Sequence, residues 1–213
     1  MNFKYYKTSN LIISILVLSL LIAPGSKHLE SLIQKSEYLN SIYSYIGNFS
    51  TIAILTLFLL LINNVLWKYV ACKWLVDLPN LNGRYQGELT STYIDPQSQL
   101  PVKKKCIIEI CQNASEIKIH SYYGDHNSTL QSSESISVSE EIRKLSNGFF
   151  EIFYIFSNTA NTSSPQLDNH IGTCQLKYHP DLKSLVGEYY NKRGFKGRID
   201  VTFVQKTILG RFN

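Results

Sequence analysis

LNGRYQGELTSTY, Leu81 to Tyr93, and LVGEYYNKRGFKG, Leu185 to Gly197, decide the fold of this chain. Each sets a tyrosine beside glycine in a short run of strand-forming residues, and the two stretches stand near opposite ends of one region. A motif repeated at both ends of a strand-rich region predicts a sheet whose first and last strands meet. Between them, runs rich in Val, Ile, Thr, Tyr and Phe alternate with clusters of Gly, Asn, Asp, Pro and Ser. Eight strands are predicted: Gly83 to Ile94, Val102 to Gln112, Glu116 to Tyr123, Ser132 to Ile142, Phe149 to Asn158, Asn169 to Tyr178, Leu185 to Asn191 and Gly197 to Lys206. Asp95-Pro96, Gly124-Asp125, Asn147-Gly148, the polar stretch Asn158 to Gln166 and His179-Pro180-Asp181 separate them. At most one helical turn is expected, over Glu140 to Leu145.

Eight antiparallel strands joined by short loops close into an up-and-down β-barrel, which removes exposed sheet edges and leaves an interior able to hold one small ligand. Strand alternation turns Tyr85, Leu89, Ser91 and Tyr93 to one face of the first strand, the side expected to look inward. By the same rule Leu185, Tyr189 and Asn191 share a face that reaches towards Arg193. Gly87 and Gly187 permit the sharp bending that closure demands. Tyr85, Ser91, Tyr93, Tyr189, Asn191 and Arg193 are therefore the candidate ligand-binding residues, with the alternative that the tyrosines simply fill an apolar plug. The run Lys103-Lys104-Lys105 is read as a solvent-facing or lipid-facing surface rather than part of the site.

The first third of the 213-residue chain differs in character. Leu11 to Ala23 is uncharged, with Lys7 before it and Pro24-Gly25 expected to stop its helix. No charge falls between Glu37 and Lys68, and Ile52 to Trp67 is almost wholly apolar. Two transmembrane helices are expected, at about residues 5–24 and 46–67, with Trp67, Lys68, Tyr69, Lys73 and Trp74 as an interfacial border. A cleaved signal peptide remains the alternative for the first segment. Lys4 and Lys7 before the first helix, with Lys68 and Lys73 after the second, place the N-terminus and the C-terminal domain, residues 78–213, in the cytoplasm by the positive-inside rule. Asn63 and Asn64, adjacent polar residues in the second helix, are candidates for helix–helix association or else sit hydrated near the interface.

Composition excludes some classes. Residues 80–213 carry 15 Lys and Arg against 13 Asp and Glu, too little excess for a nucleic-acid polymer binder. Cys106 and Cys111, five apart on a strand, point to opposite faces, so no shared metal is expected, and the four cysteines suggest a reducing compartment rather than a disulfide framework. The sequons at Asn113, Asn127 and Asn161 are taken as chance triplets. The histidines are scattered and expected at surfaces or in loops. No nucleophile, P-loop or zinc-protease motif is present, and no catalytic residue, metal or cofactor is assigned.

Two N-terminal apolar helices, the connector KWLVDLPNLNGRYQGEL, a compact all-β domain and the closing LVGEYYNKRGFKGRI resemble the two-transmembrane, β-strand-rich effectors of bacterial CBASS anti-phage systems, a family that includes CD-NTase-associated protein 15. The resemblance implies an eight-stranded barrel that binds a cyclic di- or trinucleotide made by a partner CD-NTase. It further implies homo-oligomerisation in the bacterial inner membrane, disruption of that membrane and death of the infected cell. Read from the residues alone, two other classes stay open: a membrane-anchored, lipocalin-like carrier or sensor of a lipid or other apolar ligand, and an interaction protein whose barrel is filled by side chains.

Overall fold

A computed structural model describes residues 2–33, 35, 50–161 and 168–213. They form two compact units, Met1–Asp77 with Asn113–Ser115, and Leu78–Gln112 with Glu116–Asn213.

In the first unit, α1 spans Thr8–Ile33 and α2 spans Ser50–Asn64, followed by two short 3-10 turns, Leu66–Lys68 and Val70–Cys72. α1 contains an 18-residue stretch, Thr8–Gly25, long and apolar enough to cross a membrane. The stop expected at Pro24-Gly25 does not occur, and the helix continues for eight residues beyond Gly25. Proline lacks the N–H that would reach the carbonyl four residues back, here that of Leu20, and its ring crowds that carbonyl, yet an apolar helix can carry it through by local adjustment. The described part of α2 has 15 residues, which as a helix rise about 22 Å, short of a bilayer core of about 30 Å. The expected start of this helix near residue 46, and most of the loop before it, lie outside the described residues.

The second unit is a closed barrel of eight antiparallel strands in chain order. They are β1 (Gly83–Ile94), β2 (Pro101–Gln112), β3 (Ile117–Gly124), β4 (Gln131–Lys144), β5 (Phe150–Ala160), β6 (His170–His179), β7 (Ser184–Asn191) and β8 (Lys196–Gln205). Every expected strand is present, and β4 runs two residues past the expected Ile142 to Lys144, through the stretch where at most one helical turn was expected. Closure runs through the opening motif: β1 pairs with β8 from Arg84 opposite Gln205 to Ser91 opposite Gly197.

Two glycines show why the motif recurs. A Cβ on Gly87 would collide with the Asp200 carbonyl, and one on Gly187 with the Gln175 carbonyl, so neighbouring backbones approach too closely there for any side chain. The strands coil at these points, and a small closed barrel requires that coiling.

One end of the interior is filled. Tyr85, Ile108, Ile110, Ile119, Ile152, Leu176, Leu185 and Val201 are all almost wholly buried. The Tyr85 hydroxyl donates to the Leu81 carbonyl at 3.1 Å, and the ring meets Phe203 edge-on with centroids 5.6 Å apart. Tyr85 is therefore the plug of the closed end and not a cavity residue, the alternative that the sequence left open. Position along the barrel axis follows from the pairing of Tyr85 with Ile108 and Phe203, a register that alternation within one strand does not reveal.

Candidate functional site: the open end of the barrel

Towards the other end the inward residues become smaller and more polar, and a cavity of about 650 Å³ opens to solvent. That volume falls within the roughly 300–1,000 Å³ of small-molecule sites. Ser91 and Tyr93 from β1 reach it, as do Tyr189 and Asn191 from β7, and Arg193 and Phe195 from the β7–β8 turn. Five of the six sequence candidates thus meet around one space; Tyr85 does not.

The opposite wall comes from residues that the sequence reading left aside. Tyr123 ends β3, Ser132 and Ser133 begin β4, Phe156 and Asn158 lie on β5, and His170 begins β6. Asn158 is the register partner of both Ser135 and His170, so this wall is set by pairing across three strands. His170 is a lining residue here, where a surface or loop position was expected; its Nδ1 lies 2.9 Å from the Asp168 carbonyl oxygen.

The largest revision concerns the lysine run. Lys104 shares the inward face of β2 with Cys106 and Ile108, and opposes Leu89 in the register. It lines the cavity, and its Nζ donates to Asp125 Oδ1 at 2.6 Å. Lys103 and Lys105 point outward, Lys103 to Glu88 at 3.0 Å and Lys105 over the Phe212 ring, 5.0 Å from its centroid. The solvent-facing reading therefore holds for two of the three. Counting back by twos from buried Cys106 would have found Lys104.

The buried interior around the cavity carries no ionised cysteine or tyrosine at physiological pH. Burial pushes the thiol of Cys106 and the hydroxyls of Tyr123 and Tyr154 well up, and takes Cys174 up to about 12. Burial also raises Tyr189, with a hydrogen bond to Ser91 acting against the shift. Tyr123 shares a hydrogen bond of 3.3 Å with the Ser135 hydroxyl. Charge is confined to the mouth, where the lining includes Lys104, Arg193, Asp95 and Asp125. Asp95 already accepts from Gln97 N–H at 2.9 Å and Ser98 Oγ at 3.1 Å, an arrangement that shapes the β1–β2 turn. Arg193 lies over the Phe195 ring at 5.6 Å, and that ring meets Tyr93 edge-on at 5.0 Å. The site thus offers uncharged aromatic rings on its walls, with two cations and two carboxylates at its mouth. A ligand with aromatic bases and anionic linkers matches that order.

A family model, described as the Cap15 cyclic dinucleotide receptor domain, matches residues 76–202, more than half of the chain. The chain belongs to the Cap15 family. The matched region of this Cap15 chain contains all eight strands up to the middle of β8, and every cavity-lining residue named above. No curated protein sequence matches the chain.

In the first unit, Asn63 is buried and engaged within the chain. Its Oδ1 accepts from Ser115 Oγ at 2.5 Å and from the Tyr6 hydroxyl at 3.4 Å, and its carbonyl accepts from Ala114 N–H at 3.0 Å. Asn64 is exposed and accepts from the Asn63 amide at 3.2 Å. Cys106 is buried and Cys111 exposed, on opposite faces of β2 as alternation requires.

Proposed function

We propose that the open end of the barrel is a receptor site for a cyclic dinucleotide, with a binding rather than a catalytic role. The observation that carries this reading is the cavity: aromatic and hydroxyl side chains on its walls, with Lys104 and Arg193 beside Asp95 and Asp125 at its mouth, all within the region that matches the Cap15 receptor domain. Tyr189, Tyr93 and Phe156 supply rings for the bases, and base–aromatic stacking is worth about 1–3 kcal/mol per base. Lys104 and Arg193 meet the phosphates, while Ser91, Ser133, Asn158 and Asn191 present donors and acceptors to base edges and ribose hydroxyls. An apolar-lipid carrier would leave these polar groups unpaired on binding, which disfavours that alternative.

The wider role is that of a CBASS effector in the bacterial inner membrane. Residues 1–77 act as the membrane anchor, with α1 as one span and the segment that contains α2 as the second. Residues 78–213 act as the cytoplasmic sensor. Nucleotide binding favours an assembled state over the resting one, since only differential affinity shifts such an equilibrium. Assembly of the anchors then disrupts the bilayer. Because Asn63 is spent on bonds within the chain, contact between anchors falls to the exposed Asn64 and the apolar faces of the helices.

The test is a titration of the full chain in lipid nanodiscs with cyclic dinucleotides bearing each pairing of the common bases, followed by dye release from liposomes carrying the protein. Binding of one member, with leakage that depends on it, supports the proposal. Absence of binding by folded protein overturns the receptor reading; binding without leakage overturns the membrane step.

A further inference from the structure

The residues that follow β8 lie against the outer wall of the barrel and account for a buried charge pair that the lumen does not explain. Arg84 and Glu109 are register partners on β1 and β2, face away from the lumen, and are nonetheless only 5% and 3% exposed. Burying an ion pair is costly unless its remaining donors and acceptors are filled. The C-terminal segment fills them. Leu209 and Gly210 donate their N–H groups to the two Glu109 oxygens at 2.8 and 3.0 Å. Arg84 donates to Glu109 at 2.6 Å and to the carbonyls of Arg211 and Phe212 at 2.7 and 2.8 Å. One carboxylate reads two amides and one guanidinium reads the carbonyls that follow, so the seat fixes both the position and the direction of the segment.

The segment then runs towards the cavity mouth. Phe212 is 3% exposed and packs on Ile107 and Tyr122. A Cβ on Gly124 would stand 2.5 Å from its ring, so glycine makes the room it occupies. Asn213 donates its side-chain amide to the Thr129 carbonyl at 2.7 Å, in the β3–β4 loop. Lys105 and Gly124, the two residues that flank the Phe212 ring, are themselves register partners. Each is the chain neighbour of one member of the Lys104–Asp125 pair. Phe212 therefore holds the outside of the wall at the point whose inside carries the mouth cation.

We propose that residues 209–213 are a positioning strap for the mouth of the lumen: by fixing β2 against β3 from outside, they hold Lys104 and Asp125 where an entering ligand meets them. The effect on affinity rests on the receptor reading above, whereas the bracing of the mouth does not. Coupling of this kind is reciprocal, so a bound ligand also tightens the strap.

The experiment uses the full chain in nanodiscs and the variants Phe212→Ala and Phe212→Leu. Amide hydrogen exchange is followed without ligand and with the same panel of cyclic dinucleotides. In Phe212→Ala, exchange across residues 122–131 becomes faster and ligand affinity falls about fivefold or more, the low end of usual coupling. Phe212→Leu restores most of both, and bound ligand slows exchange of the Leu209 and Gly210 amides. If Phe212→Ala does not fold, Asn213→Ala removes the side-chain bonds to the Thr129 carbonyl and from Lys105 Nζ while leaving the Phe212 ring in place, and shifts exchange and affinity in the same direction. Unchanged exchange at the mouth overturns the strap whatever the ligand does. Faster exchange with unchanged affinity, and no ligand protection of the segment, reduces it to a stability element and overturns its positioning role. Should the native chain bind no cyclic dinucleotide, the receptor reading falls, and exchange at residues 122–131 still decides whether the strap braces the mouth.

Discussion

Replacing Lys104 by glutamine separates the inward lysine of the Lys103–Lys105 run from its outward neighbours. The Lys104 side chain is 24% exposed and set on the cavity wall, so a phosphate that reaches it forms a charge-assisted bond sheltered from bulk water. Such a bond contributes about 1.5–3 kcal/mol. Lys104 must first release Asp125, a carboxylate 65% exposed, and that pair is worth about 0.2–1 kcal/mol. The net loss in Lys104→Gln is about 1–2 kcal/mol, roughly 5–30-fold in dissociation constant. Asp125→Asn has the opposite sign, because it frees the ammonium, and tightens binding by up to about fivefold. Lys103→Gln leaves affinity unchanged, since that side chain reaches Glu88 on the outer face. Isothermal titration of the full chain in nanodiscs at two salt concentrations measures all three, and the salt dependence of Lys104→Gln is the shallower. Equal effects of Lys103→Gln and Lys104→Gln would refute the assignment of the inward lysine.

Three further outcomes follow from the same geometry. Tyr189→Ala, which removes a ring from the cavity wall, weakens nucleotide binding by about 1–3 kcal/mol, whereas Tyr189→Phe loses only the bond to Ser91 and keeps most of the affinity; paired titrations distinguish stacking from hydrogen bonding. Gly187→Ala forces a methyl group into the Gln175 carbonyl and destabilises the barrel by about 1–3 kcal/mol or more, read as a drop in the thermal midpoint by about 2–4 °C per kcal/mol. The third concerns acid. Burial acts to raise the Glu109 carboxyl, but the bonds from Leu209 N–H, Arg84 and Gly210 N–H outweigh it and hold the group below the ordinary carboxylate value. A depressed carboxylate stabilises the fold above its unfolded value and loses that contribution as pH falls through the folded one. Docking of the C-terminal segment is therefore constant from neutrality down to the ordinary carboxylate range, near pH ~4, and fails below it. Arg84 and Tyr122 are the ionisable side chains hydrogen-bonded to Glu109, and His120 is its register partner on β3. Exchange of the Leu209 and Gly210 amides against pH measures it, and loss of protection above pH ~5 would contradict the sign.

The strands and their closure were legible because a small antiparallel barrel writes itself locally. β-Branched and aromatic runs end at Gly, Pro, Asn and Asp, and the two tyrosine–glycine motifs stand where backbones crowd. Faces were legible too, since alternation has a period of two: Ser91, Tyr93, Tyr189 and Asn191 all turn inward. Depth was not. Tyr85 and Tyr93 share a face of β1 about 26 Å apart, yet one plugs the closed end and the other lines the mouth, because the register with neighbouring strands decides which end is filled. The far wall, Tyr123, Phe156, Asn158 and His170, depends on pairing between strands and left no signal in any one of them. Lys104 was visible to alternation but hidden by its neighbours, because a triple lysine reads first as a solvated face. Arg84 falls on the outer face, as alternation from inward Tyr85 requires, and its burial comes from a segment whose docking has no periodic signature. At the N-terminal end, hydropathy located α1, while its continuation through Pro24 was hidden because proline reads first as a helix stop, although an apolar helix can carry it.

The central claim is that the lumen mouth recognises a cyclic dinucleotide. Titration of the full chain in nanodiscs with the base-pairing panel, run alongside Tyr189→Ala, tests it most directly. Saturable, micromolar or tighter binding of at least one member is expected, competitive among those that bind and weakened in Tyr189→Ala. Folded protein that binds none of them, or binds one with affinity indifferent to Tyr189, would contradict it.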